Sequence, residues 1–233
     1  MNRLAATLAC DIRLQIRNGF YYAAGFVAAI NILILAQLPS AALAYWMPPL
    51  ILSNLLINTF YFIAGQVLLE KGEGTLHAQV VTPLKNSEYL ISKVLSLTLL
   101  SLAENLLIVL IGYGMEFNII LLVLGMVGAA AMYTLCGFLA VSRYSSINEY
   151  LFPSFLYTLA FIPPFLSYAG LEGSWLYLHP LQAPLVLVQG AFTGTETGNL
   201  TYGVSYSVLW VVVLFILGQR VFVRFIVAEG GTG

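Results

Sequence analysis

The residue best placed to do chemistry in this chain is an acid inside an apolar stretch. Glu104 stands beside Asn105, with a pair of leucines on either side. A carboxyl group in hydrocarbon is costly, so it must face protein or a water-filled cavity. Two interpretations stay open: Glu104 contacts a transported substrate or ion, or it joins helices through hydrogen bonds. Candidate partners for the second are Asn31, Asn54 and Asn58.

A polar stripe in the preceding apolar stretch could meet this acid. Its members follow the spacing i, i+4, i+7 and i+11, which places them on one face of a helix: Asn54, Asn58, Tyr61 and Gly65. Such a face either lines a polar translocation path or seals a helix–helix contact. The candidate substrate path therefore has five members: Asn54, Asn58, Tyr61, Glu104 and Asn105.

No catalytic or metal-binding pattern accompanies these residues. The chain has no P-loop of the form G-x-x-x-x-G-K-[ST], no HExxH and no GxSxG. Cys10 and Cys136 are far apart and are expected to be reduced apolar thiols. His77 and His179 fall on opposite sides of the membrane in the predicted topology, so they cannot share a metal. We predict that the chain is not an enzyme, with no catalytic residue, no metal and no cofactor of its own.

The composition indicates the class of protein that must position these residues. The chain is 60% hydrophobic and only 8% charged, with a mean hydropathy of +0.91. Soluble domains carry about 25% charged residues, so this chain is expected to be an integral membrane protein. A net charge of −1 argues against nucleic acid as a partner. The first apolar run is short and broken by charges, so it is not expected to be a signal peptide.

Six stretches are long enough to cross a bilayer, which needs about 20 mostly apolar residues. They are residues 19–38, 42–69, 89–111, 119–141, 150–169 and 201–223. Transmembrane barrel strands are about 10 residues long and alternate in polarity, whereas these runs are longer and uniformly apolar. The fold class predicted is an all-α membrane protein forming a single domain over residues 1–233.

The charges orient these spans. Six spans place residues 1–18, 70–88, 142–149 and 224–233 on one side of the membrane, and that side holds seven of the nine Lys and Arg residues. The other two, Lys93 and Arg220, lie near helix ends on the same side and are expected to snorkel to it. By the positive-inside rule this side is cytoplasmic, with both termini inside. A multi-pass protein of a prokaryotic cytoplasmic membrane is predicted.

Two further segments have recognisable patterns. Residues 1–18 are predicted to contain an amphipathic helix in the inner interface, with an apolar stripe of Leu4, Leu8, Ile12 and Ile16 and with Asp11 off that stripe. The extracytoplasmic loop 170–200 contains the apolar run 180–192, which is too short to span and suits a re-entrant helix. Prolines predict interruptions in the second and fifth spans: Pro48, Pro49, Pro153, Pro163 and Pro164.

A compact polar stretch, residues 70–93, separates the second and third spans. Gly72 and Gly74 should end the second span. Thr75 can cap a short helix that Pro83 stops. Asn86 or Ser87 should then cap the third span, with Glu88 in its first turn. A short cytoplasmic helix held between two membrane helices would suit force transfer from an outside partner.

This stretch resembles the permease subunits of type-2 ATP-binding-cassette exporters. That family has an acid-basic-Gly-x-x-GTL-like stretch, a [LV]-x-TP-[LV] element and an E-Y-L-x-x-K-like helix start. The matching residues here are Glu70, Lys71, Gly74, Thr75, Leu76, Val81, Thr82, Pro83, Leu84, Glu88, Tyr89, Leu90 and Lys93. Residues 77–79 depart from the pattern, because the family often has an acid just after GTL. The six-span layout also matches.

The resemblance implies a mechanism and partners. A separate ATPase subunit, which binds ATP and magnesium, would dock on the short coupling helix. The coupling residues would be Gly74, Thr75, Leu76, His77, Val80, Val81, Thr82 and Pro83. A second permease copy would pair with the first, a homodimer being favoured over a heterodimer, and alternating access would export a hydrophobic or amphipathic drug-like or lipid-like compound. The alternatives are a membrane scaffold or sensor, and an ion-coupled carrier that uses Glu104.

Overall fold

The computed structural model describes residues 3–74, 85–171 and 173–230, with side chains as far as Phe222. All regular elements within these ranges are helical, as the composition predicts. The α-helices are α1 (Arg3–Arg17), α2 (Phe20–Leu35), α3 (Ser40–Gly72), α4 (Asn86–Gly112), α5 (Ile119–Val141), α6 (Ile147–Leu159), α7 (Gln182–Thr193) and α8 (Thr197–Gly230). Two short 3-10 helices, Pro163–Ala169 and Ser174–Leu178, lie between α6 and α7.

Four of the described helices are long and apolar enough to cross a membrane singly: α3, α4, α5 and α8. Two bent pairs bring the number to six if each pair crosses as one span. Helices α1 and α2 meet at 65°, and α6 meets the helix Pro163–Ala169 at 55°. Gly19 makes the first bend possible, because its φ of 80° is open to glycine and disfavoured for other residues.

Helix α3 is irregular, but away from its prolines. It continues through Pro48 and Pro49, so the interruption predicted at these residues is wrong. Both prolines are buried, and the surrounding helices hold them in place. A π-helical turn, Leu56–Tyr61, lies further along instead. In the fifth predicted span, α6 continues through Pro153, so the interruption predicted there is also wrong, whereas the break does come before Pro163, as expected.

Local polar contacts set several helix ends. Helix α3 ends at Gly72 and the chain turns at Gly74, whose φ is +68°, which confirms the predicted end of the second span. The residue before α4 is Lys85 rather than Asn86 or Ser87, and its backbone N–H donates to Glu88 Oε2 at 2.9 Å. That bond gives a partner to the amide of the residue just before the helix.

Helix α5 forms the centre of the bundle, against α3, α4, α7 and α8. Its glycines permit very close contacts. A Cβ on Gly125 would lie 2.9 Å from the Pro184 carbonyl oxygen of α7, and one on Gly128 would lie 3.3 Å from Ser207 of α8. Small residues permit such close approach between membrane helices. The short helix α7 is thus buried beside the first half of α5, and its Ala191 carbonyl accepts from the Asn118 amide at 2.8 Å.

Candidate functional site

The residues predicted to couple to an ATPase belong to the part of the sequence between α3 and α4, and the described end of the bundle where α3 finishes and α4 begins flanks them. We call it the basic end, because it carries Arg17, Lys71, Lys85 and Arg143. Gly74 is described and forms the turn after α3. Seven of the predicted coupling residues lie outside the described residues: Thr75, Leu76, His77, Val80, Val81, Thr82 and Pro83. The described structure therefore gives the frame on either side of this segment.

A buried ion cluster builds that frame. The Lys93 ammonium of α4 bonds Asp11 Oδ1 of α1 at 2.6 Å and also pairs with the Glu70 carboxylate at the end of α3. Only 1% of Lys93, 4% of Asp11 and 5% of Glu70 is exposed. Two α4 hydroxyls complete the cluster: Tyr89 donates to Glu70 at 2.7 Å, and Ser92 donates to Asp11.

This ion cluster corrects one prediction and shows which face of α1 meets the bundle. Lys93 does not snorkel to the interface, because its two carboxylate partners hold the ammonium inside the protein. Helix α1 also turns its polar face to the bundle: Asp11 and Gln15 are its buried residues, and Gln15 donates to Ser96 of α4 at 2.9 Å. Buried charges need partners, so the polar face of α1 packs inward while Ile16 of its apolar stripe stays half exposed.

Further contacts brace the basic end. The Lys71 ammonium donates to the backbone carbonyl oxygens of Ser142, at 3.3 Å, and of Tyr144. The basic residue that follows Glu70 therefore ties the end of α3 to the loop after α5. Arg17 and Glu73 also pair at 3.3 Å, but both side chains are exposed. Exposed pairs contribute only about 0–1 kcal/mol, so the buried contacts dominate this end.

A second buried polar cluster surrounds Glu104. The Asn54 amide of α3 donates to Glu104 Oε1 and to Asn105 Oδ1, both at 3.2 Å, and Asn58 donates to Glu104 Oε2. Asn31 of α2 donates to Asn54 Oδ1 at 3.3 Å. All three predicted partners therefore belong to the cluster, which joins α2, α3 and α4.

The geometry of this cluster supports helix joining more than substrate contact. Both oxygens of Glu104 already accept hydrogen bonds, and only 7% of the residue is exposed. Among the described hydrogen bonds, none joins Tyr61 to this cluster, and its ring lies against Phe60 at 5.3 Å. The π-helical turn explains this, because an extra residue in the turn rotates the later part of α3 relative to Asn54. The Asn58 Oδ1 atom is buried with no described partner.

The residues that sequence reasoning missed are those of the ion cluster. The sequence analysis identifies Glu70 and Tyr89 only as parts of a loop pattern, Lys93 as part of that pattern and as a snorkelling cation, and Asp11 as a charge off an apolar stripe. One available signal was the pair Asp11 and Gln15, which are four residues apart and so share one face of α1. Their partners on α4 are 81 and 82 positions away, beyond any local pattern.

Comparison with known proteins adds an independent finding. A model of the fluoroquinolones export permease protein family matches residues 2–230. Two relatives, each described as a fluoroquinolones export permease protein and coming from two strains of Mycobacterium tuberculosis, are each 29% identical over 235 residues. Each alignment covers 99% of this chain and 99% of the relative. The similarity extends over the whole bundle and is not confined to the loop pattern.

Proposed function

We propose a function from one established premise: the chain belongs to the fluoroquinolones export permease protein family. It is a multi-pass membrane protein, and we infer that it is the membrane-spanning subunit of a bacterial ATP-binding-cassette exporter. Its cargo would be amphipathic, drug-like compounds. The observation that carries this proposal is the family match over residues 2–230, in a chain whose described helices are long and apolar enough to span a bilayer.

The energy for export would come from a partner. The sequence has no P-loop, so ATP and magnesium would bind to a separate ATPase subunit. Residues 75–84 stand between the end of α3 and the start of α4, and the ion cluster ties both helices to α1. A force applied to that segment would therefore reach α1, α3 and α4 together. This supports the coupling role of residues 74–83.

The proposed orientation places the basic end and both termini in the cytoplasm. Seven Lys and Arg residues lie on that side of the predicted spans, and the positive-inside rule assigns it to the cytoplasm. The ATPase would then meet the coupling segment in the compartment that supplies ATP. Labelling of single cysteines from either side of the membrane tests the orientation. A cysteine at position 85 should react from the inside and one at position 116 from the outside.

We also propose that two copies of the permease pair, and that cargo leaves through their interface by alternating access. The candidate path keeps its five members: Asn54, Asn58, Tyr61, Glu104 and Asn105. Because Glu104 bonds residues of α3, the cluster would line a path only when α3 and α4 separate. Chemical cross-linking of the purified complex tests the pairing, and a mass equal to one permease with its ATPase would contradict it.

The direct test of coupling is the substitution Leu76→Asp. It should abolish co-purification with the ATPase and export-linked ATP hydrolysis, because a charge replaces an apolar contact residue. The bundle should remain folded, as measured by size-exclusion chromatography. The matched control is Ser145→Asp, which adds the same charge in another loop at the basic end. If both variants retain ATPase stimulation, the docking assignment is wrong.

One observation favours a second candidate, an ion-coupled carrier. Glu104 is a buried carboxylate whose described partners are amides and not cations. A carrier that uses Glu104 predicts transport that continues without ATP and fails in Glu104→Gln. The ATP-driven exporter predicts transport that stops without ATP, so the dependence on ATP separates the two. A scaffold or sensor would show neither form of transport.

A further inference from the structure

Two adjoining cavities form one groove along α5, on the side where α5 meets α7 and α8. The first has a volume of about 630 Å³ and lies where α5 begins. The second has a volume of about 220 Å³ and lies further along the helix. Leu124 lines both cavities, so the two are continuous. We call the whole space the outer groove and its first cavity the mouth.

The outer groove is as long as one leaflet of a bilayer. Its lining runs along α5 from Ile120 to Ala131 and along α8 from Leu200 to Val212. At a rise of about 1.5 Å per residue, these stretches are about 16 and 18 Å long. One leaflet of hydrocarbon is about 15 Å deep, half the thickness of the bilayer core. A single extended acyl chain can therefore occupy the groove from end to end.

The second cavity has the chemistry of an acyl-chain site. Apart from Ser207, its lining consists of apolar residues and Gly128, and five of these residues are valines. The floor is low because Gly128 and Ala131 carry little or no side chain. Val208 on the wall is 58% exposed, so the groove opens toward the lipid. Burial of each CH₂ group of a chain in such a space is favourable relative to water, and close contact makes it favourable relative to loosely packed lipid.

The mouth of the groove is acidic. Glu116 lines it and is exposed, and no cation within the described ranges forms an ion pair with this carboxylate. Glu196, next to the lining residue Thr195, adds a second acid close by. Helix α7 also ends here, at Thr193, and the negative end of a helix dipole favours a cation. All nine Lys and Arg residues belong to the other side of the membrane in the predicted topology, so a cation at the mouth must come from a ligand.

The mouth also has a place for a phosphate beside that cation. Asn118 precedes α5 and Leu200 belongs to the first turn of α8, and both line the mouth. The positive ends of these two helix dipoles favour an anion. The cation should be a primary ammonium, which donates hydrogen bonds to carboxylate and carbonyl oxygens, whereas a quaternary ammonium has no donor and favours a cage of aromatic rings. Among the described residues that line the mouth, only Phe117 is aromatic.

We propose that the outer groove holds one phospholipid with a primary-ammonium headgroup, phosphatidylethanolamine, as a resident lipid and not as cargo. One acyl chain lies between α5 and α8, and the ammonium group bonds Glu116. The assignment of this lipid to the outer leaflet rests on the proposed orientation of the chain, but the site itself does not. A second copy of the permease suits the groove less well, because two copies in one orientation bring acidic mouth to acidic mouth without a cation.

Native mass spectrometry of the full chain tests the headgroup. The protein is purified in dodecyl maltoside and given an equimolar mixture of phosphatidylethanolamine, phosphatidylcholine and phosphatidylglycerol with identical acyl chains. Phosphatidylethanolamine should be retained at one molecule per permease chain, with a preference of about twofold to fivefold over each of the others, as expected for a partly exposed charge contact. Glu116→Gln should remove most of this preference. Glu73→Gln, which neutralises an exposed acid at the basic end, should leave it unchanged.

A matched pair of substitutions tests the acyl-chain site. Val208 and Leu209 are neighbours on α8 with exposed fractions of 58% and 54%, but only Val208 lines the groove. Val208→Trp should fill the groove and lower retention of phosphatidylethanolamine about fivefold or more, whereas Leu209→Trp should have little effect.

Three results would overturn the proposal. Equal retention of the three lipids would reject the headgroup contact, as would equal effects of Glu116→Gln and Glu73→Gln. Equal effects of the two tryptophan substitutions would reject the groove as the place of the acyl chain. If Val208→Trp instead converts permease dimers to monomers and leaves lipid retention unchanged, a second copy of the chain covers the groove.

This measurement needs neither ATP nor an ATPase partner. Loss of lipid preference alongside intact ATP-driven export would reject the lipid site and leave the proposed function standing. Selective retention of phosphatidylethanolamine in a chain that shows no export would reject the function and leave the lipid site standing.

Discussion

Removal of the Lys93 ammonium should destabilise the protein more than any other single charge change at the basic end. In Lys93→Met, the Asp11 and Glu70 carboxylates stay buried but lose the cation that both of them contact. Removal of one partner from a buried ion pair costs about 3–5 kcal/mol. Both carboxylates contact the same ammonium nitrogen, so they lie within about 5 Å of each other, and at an effective dielectric constant of about 20 their repulsion would contribute about 3 kcal/mol to this cost.

The assay is unfolding by sodium dodecyl sulfate in mixed micelles, followed by circular dichroism. Lys93→Met should lower the free energy of unfolding by about 3–5 kcal/mol. Lys85→Met is the matched control at the start of the same helix. Its side chain is exposed and its capping contact is made by the backbone, so the change should stay within about 0.5 kcal/mol.

A compensated variant tests the physical reason. Asp11→Asn, Glu70→Gln and Lys93→Met together leave no buried charge, so most of the lost stability should return. If the triple variant is as unstable as Lys93→Met, the loss comes from altered packing and not from unpaired carboxylates. If Lys93→Met behaves like Lys85→Met, the ion cluster does not hold α1, α3 and α4 together.

Single contacts elsewhere in the bundle give three other predictions. Glu104→Gln keeps an acceptor for the amides of α3, so it should change the free energy of unfolding by less than about 1 kcal/mol. Glu104→Leu leaves the buried amide donors unpaired, so it should lower the free energy of unfolding by about 2–3 kcal/mol more than Glu104→Gln does in the same titration. Gly125→Ala would place a Cβ 2.6 Å from a Val188 methyl carbon and should lower the free energy of unfolding by about 1–3 kcal/mol. Gly25→Ala has open space around the new Cβ, so thermal melting should show a stability that is unchanged or higher. In the segment before α7, burial lowers the pKa of His179, whose Nδ1 accepts from the Leu181 amide at 3.2 Å. The His179 imidazole is protonated more readily in the unfolded chain than in the folded one. The free energy of unfolding should therefore fall as the pH drops through about 6.5, and thermal melts of His179→Gln at a series of pH values should lack this part of the pH dependence.

Much of the fold was predictable because the signals are local. Apolar runs of membrane length predicted the membrane-length helices α3, α4, α5 and α8. A carboxyl group in hydrocarbon must find hydrogen-bond donors, so asparagines in the neighbouring apolar stretches were the predicted partners of Glu104. Asn54 and Asn58 do donate to it. The two glycines at the start of the polar loop also predicted the end of α3, which lies at Gly72.

The sequence by itself determined that this is a helical membrane protein with few charged residues, and that polar groups inside its apolar stretches need partners. Only the tertiary structure decided which partners they have. Lys93 finds Asp11 82 positions away, and Cys136 and Arg143 share one cavity with Phe161. The physical reason is that lipid is as apolar as the protein core, so hydropathy does not distinguish a helix face that meets lipid from one that meets another helix. Close packing and polar pairing make that distinction, and both depend on residues that are distant in the chain.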